Sequence, residues 1–127
     1  MNISAIQSNN IQPNFEACYV NTKGIRRSFG EKILGQVESV LPKIKEKSAD
    51  VDTFIFPYNV GFYNRNNAIM VKVQKLNVSF WDKLLSALSL RPPYSQDDFV
   101  FADRIMNKTV GLLTTFEKTK QELINYI

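Results

Sequence analysis

Histidine is absent from this 127-residue chain and cysteine occurs once. Without histidine there is no Ser-His or Cys-His dyad, no imidazole base, and none of the commonest transition-metal ligand. A single cysteine cannot form an intramolecular disulfide, and one Cys without His cannot assemble a structural zinc site. Cys18 has no such partner and falls in a predicted strand, so it reads as a buried, inert thiol. Long hydrophobic runs are missing too. None approaches the ~20 apolar residues that cross a bilayer, so no membrane partner is expected. The polar opening, residues 1–10, lacks the charged-then-apolar pattern of a secretory signal. These absences together predict a cytoplasmic protein, in which the three Asn-x-Ser/Thr triplets have no glycosylation role.

Phosphate and metal motifs are equally scarce. The stretch from Gly24 to Lys32 has a glycine spacing one residue too long for a phosphate-binding loop. Glu31 also separates Gly30 from Lys32, and no Ser or Thr follows. Asp97 and Asp98 with Asp103, or Asp50 with Asp52, are the carboxylate groupings a hard cation would need. They read better as helix capping and as a solvated turn, because such sites need several oxygens converging from different segments. No metal and no cofactor is expected.

What remains is ordinary globular material: 44% hydrophobic and 22% charged residues, with nine Phe, five Tyr and one Trp, enough for one core. Residues 1–14 read as a flexible leader and 15–127 as a single α+β domain. Residues 15–20 alternate as a short strand, and 21–24 as a turn. Ser28 and Glu31 match a capping box before the helical stripe Ile33, Leu34, Val37, Val40, Leu41 and Ile44. Pro42 within that stripe predicts a kink or restart. Residues 53–57 and 68–76 read as strands joined in a hairpin by a long loop, with Pro57 at a strand end or edge. Ser79 caps a short helix whose face, Trp81, Leu84, Leu85 and Leu88, is expected in the core. Ser95 is read as the cap of a long final helix.

The resulting fold is α+β, order β-α-β-β-α-α: a small sheet of about three strands covered on one face by three helices. The final helix is the least ordinary element. From Phe99 to Ile127 apolar residues recur in steps of three and four. As one helix, residues 95–127 would span ~50 Å at 1.5 Å per residue. A compact chain of this length has a diameter of roughly 36 Å. So the helix either bends, with Gly111 the place for it, or projects and meets a partner through Phe116, Leu123, Ile124, Tyr126 and Ile127.

Charge points elsewhere. Residues 23–47 hold seven basic side chains (Lys23, Arg26, Arg27, Lys32, Lys43, Lys45, Lys47) and three acids, a surplus of four that equals the net charge of the chain. Beside an aromatic loop at residues 58–67, such a segment suits single-stranded nucleic acid. The sequence therefore leans away from an enzyme. It predicts a non-catalytic protein-interaction module (a small regulator, adaptor or inhibitor) whose partner is another protein or a second copy of itself. The alternative is nucleic-acid binding through Arg26, Arg27, Lys43, Lys47, Tyr63 and Arg65.

Overall fold

The computed structural model describes residues 17–61, 64–76, 78–88, 93–106 and 111–125. The whole of the expected leader, together with Phe15, Tyr63, Tyr126 and Ile127, lies outside them. The chain runs β1 (Ala17–Val20), α1 (Thr22–Phe29), α2 (Glu31–Glu46), β2 (Val51–Tyr58), β3 (Ala68–Lys75), α3 (Phe80–Ala87), β4 (Ser95–Phe101), α4 (Ala102–Met106) and α5 (Leu112–Ile124). The α+β class holds, with a mixed sheet of four strands in the order β1-β2-β3-β4 and five helices among the described residues. β1 pairs parallel with β2, while β2, β3 and β4 form an antiparallel meander.

The segment read as a turn at 21–24 is the start of a helix. Asn21 Oδ1 accepts from Gly24 N–H at 2.9 Å and caps α1, while Asn21 N–H donates to the Ile55 carbonyl and prolongs the β1–β2 ladder. The capping box expected at Ser28 is not formed. Ser28 sits inside α1, Glu31 pairs with Arg26, and the break between the helices falls on Gly30 at φ 91°, a left-handed conformation that favours glycine. Pro42 does not restart α2, which runs unbroken from Glu31 to Glu46.

Pro57 shows how strand and proline are reconciled. The Asn21–Ile55 bond turns the odd-numbered backbone groups of β2 toward β1, so Pro57 faces that side. β1 pairs only as far as Ile55, and the missing N–H therefore costs no ladder bond.

Residues 95–101 are a strand, not the first turns of a long helix. Pairing with β3 wins because the stretch alternates: Val100 is buried on one face, and Phe99 and Phe101 stand on the other. The three-and-four spacing that suggested one helix spans three elements. Gly111 itself is extended (φ −89°, ψ 155°) and precedes α5, so no helix runs through it. α5 then packs back against β3 and β4.

The core lies between one sheet face and the helices. Val51, Ile55, Ile69, Val71, Val73 and Val100 meet Ile25 of α1, Ile33, Leu34, Val37 and Ile44 of α2, and Leu112, Phe116 and Leu123 of α5. Four buried hydroxyls are satisfied within it. Ser48 Oγ donates to the Ile44 carbonyl at 2.6 Å and lies 3.0 Å from Thr53 Oγ1, and Thr115 and Thr119 donate to carbonyls one turn back.

Candidate functional site

The residues proposed to meet a partner at the chain's end are divided by the fold. Phe116 and Leu123 are 0% and 1% exposed and belong to the core, so they offer nothing to a second molecule. Ile124 is 39% exposed on the outer side of α5. The projecting-helix argument falls with the break at Gly111.

The basic residues separate into two groups. Arg26 and Arg27 are exposed on α1, and Asn66 Nδ2 donates to Ser28 Oγ at 3.1 Å, so the β2–β3 loop carrying Arg65 is tied to the same helix. Lys23, Arg26 and Arg27 are exposed on α1 and Lys32 at the start of α2, and Arg26 is paired there with Glu31. Lys43 and Lys47 lie at the other end of α2, a helix of 16 residues, or ~24 Å long. Lys47 is engaged there with Glu117 at 3.3 Å. Lys120 closes that end: its Nζ donates to the Lys47 carbonyl at 2.6 Å and pairs with Asp50 at 2.9 Å. Lys120 holds the Asp50 carboxyl below its ordinary range, whereas burial pushes Asp52 upward. Of the described residues in the nucleic-acid reading, Arg26 and Arg27 therefore lie apart from Lys43 and Lys47, which sit at the far end of α2.

Nothing resembling a reaction centre is assembled among the described residues. Among the described residues, no group of three or more His, Cys, Asp or Glu side chains could hold a metal ion. Burial pushes the Cys18 thiol up to about 11, only partly opposed by Lys45, so the protonated, unreactive form dominates at neutral pH. A shallow cleft of about 310 Å³ lies between β4, α4 and α5, but its Asp98 is committed to Lys118 at 3.2 Å. No helix among the described residues is long and apolar enough to cross a membrane.

Two surfaces escaped the sequence reading. The first is α3. Ser79 Oγ accepts from Asp82 N–H at 3.1 Å and Asp82 reaches back to Ser79 N–H, a complete capping box. Yet α3 has no buried residue. Phe80 is 74% exposed, Trp81 66%, Leu84 37% and Leu88 59%, which corrects the placement of Trp81 and its neighbours in the core. Lys83 reaches Tyr94, 5.9 Å from Nζ to ring centre. The second is the sheet face turned away from the helices, bearing Tyr19, Phe54, Phe56, Tyr58, Phe99 and Phe101. A signal for it existed: the aromatics of residues 54–58 and 99–101 alternate with the buried positions, so these strands are apolar on both faces.

No protein-family model, no curated protein and no solved structure matches this chain.

Proposed function

We propose that the protein is a non-catalytic protein-interaction module whose contact element is α3. The observation behind this reading is the exposure of Phe80, Trp81 and Leu84 on one eight-residue helix and of Leu88 at its C-cap, when α1, α2, α4 and α5 all bury apolar side chains. Isolated surface apolar residues need no explanation, but a contiguous set usually marks an interface, and aromatic residues are the usual anchors of one. Leu76, just past the end of β3, is 41% exposed as well. The absence of an assembled catalytic constellation among the described residues is compatible with a role exerted through contact alone.

The comparison that tests this uses tagged wild type and a Phe80→Ser/Trp81→Ser/Leu84→Ser/Leu88→Ser variant, each isolated from cells of the source organism. Because α3 buries nothing, the variant keeps its fold, checked by its denaturation midpoint. A defined species, either another protein or an untagged copy of the chain, is retained by wild type and lost from the variant. Identical retention by the two proteins contradicts the proposal.

A further inference from the structure

The cleft bounded by β4, α4 and α5 runs along a strand edge. It is lined by Asp98, Phe99, Val100 and Phe101, consecutive residues of β4. One face of a strand shows only alternate side chains, so a cleft that meets all of these follows the edge. β3 occupies the other side of β4, and no described strand pairs with this one. The ladder to β3 uses the even-numbered backbone groups of β4. Those of Asp97, Phe99 and Phe101 therefore turn outward, at intervals of about 6.8 Å. Phe99 N–H is bonded to Asp98 Oδ1 at 2.8 Å, which leaves its carbonyl and the N–H groups on either side of it along the edge.

A row of outward amides and carbonyls specifies its occupant by chemistry. Another extended polypeptide repeats its donors and acceptors at the same interval, and strand addition satisfies both sides. The side chains of an added strand alternate, one set continuing the open face of the sheet and the other pointing into the cleft. The cleft holds about 310 Å³, at the lower end of the ~300–1,000 Å³ usual for ligand sites. Its far wall is Thr114, Thr115 and Lys118 on α5, with Arg104 on α4. Lys118 is satisfied by Asp98 at 3.2 Å, with Glu122 near it as well. Arg104 is exposed and takes part in none of the ion pairs formed among the described residues. It is the cation of this cleft left to a ligand, and its planar fork fits a carboxylate.

We propose that an extended acidic peptide segment adds as a strand to the free edge of β4, with one carboxylate side chain seated in the cleft against Arg104. Main-chain bonds to Asp97, Phe99 and Phe101 supply affinity, and the cleft supplies the choice of side chain. The site is separate from α3. That helix is held at the Ser95 end of β4, whereas the cleft begins at Asp98 and leads to α4.

The test pans a phage-displayed library of random peptides of about nine residues on the full chain. The recovered peptide, made with acetyl and amide ends and a fluorescent label, is then titrated by anisotropy. It contains a carboxylate side chain, and replacing that group by its amide weakens binding about fivefold or more. Arg104→Gln does the same, and Arg104→Lys recovers part of the loss. Asp97→Pro removes an outward N–H and leaves the β3 ladder whole, as Pro57 does in β2, so it too weakens binding about fivefold or more. Its denaturation midpoint stays near that of wild type. N-methylation of successive peptide amides gives alternating loss and tolerance, because every second N–H faces β4. The α3 serine variant binds as wild type does, so failure here is distinct from failure of the α3 reading. No enriched peptide, affinity unmoved by both Arg104→Gln and Asp97→Pro, or N-methyl effects without alternation overturns the proposal. So does an edge taken by a second copy, seen as a wild-type dimer that Asp97→Pro dissociates.

Discussion

Trp81 and Phe116 are both large aromatic side chains on helical apolar patterns, and the fold treats them oppositely. Phe116 faces the sheet from α5 and is 0% exposed, whereas Trp81 is 66% exposed on a helix with nothing buried. Phe116→Ala should therefore cost about 3–5 kcal/mol, the usual range for such a cavity, while Trp81→Ala should stay within about 0.5 kcal/mol. Urea denaturation of the two variants measures both; equal losses would contradict the placement of α3. Cys18 gives a second expectation. Its folded thiol holds its proton to about 11, against an ordinary value of 9.0. A group whose folded pKa is raised contributes stability that is complete below the unfolded pKa and lost as pH rises through the folded one. Stability should accordingly decline between about pH 9 and pH 11, and a Cys18→Ala variant should lack that part of the decline. At neutral pH the native thiol should react with an alkylating reagent far more slowly than the same thiol in urea.

Among the elements, β4 is the one whose identity changed most between sequence and structure, and its edge shows why a strand there is tolerable. Lys75 N–H donates to the Tyr94 carbonyl and Ala102 N–H to that of Asn67, one at each end of the β3–β4 ladder. Alternation between them directs the backbone groups of Ser95, Asp97, Phe99 and Phe101 to the free edge. Phe99 N–H is already taken, by Asp98 Oδ1 at 2.8 Å, and Asp98 Oδ2 is held by Lys118. An edge strand with open donors invites pairing with another chain, and this carboxylate closes one of them. Asp98→Ala should therefore show light scattering that grows with concentration and time under conditions where wild type is flat; indistinguishable traces would remove this role from Asp98.

The helix α2, the β2–β3 hairpin and the capped start of α3 were legible because each rests on local chemistry: a continuous apolar stripe, alternation flanking a loop, a Ser-x-x-Asp box. What was not legible depended on pairing across the chain. Residues 95–101 carry both an alternating and a three-and-four pattern, and only the presence of β3 alongside decides between them. The aromatic second face of the sheet is likewise a property of four strands in register. Ser28 and Asn66 lie far apart in sequence, and the fold brings them into contact.

At the scale of the whole molecule, α5 completes the core and α3 stands outside it. Removal of residues 121–127 takes away Leu123, which is 1% exposed, together with the end of α5. The shortened chain should be unstable or aggregate, and a well-folded monomer in its place would mean that the end of α5 is dispensable to the fold. Deleting α3 between Leu76 and Tyr94 with a short polar connector should instead leave the denaturation midpoint close to that of wild type, because no side chain of α3 is buried. The molecule is then a folded body of sheet and four helices that presents one further helix, with the sole tryptophan of the chain on it.

That presentation is tested most directly by placing a photo-crosslinking amino acid at position 80 and, as a control, at exposed Glu38 on α2, then irradiating cells of the source organism that carry each variant. The account predicts a discrete covalent adduct from position 80, either to a second copy or to one other protein, that is lost when Leu84→Ser and Leu88→Ser are added and is not formed from position 38. Irradiation that yields no adduct from position 80, or the same adducts from both positions, would contradict it.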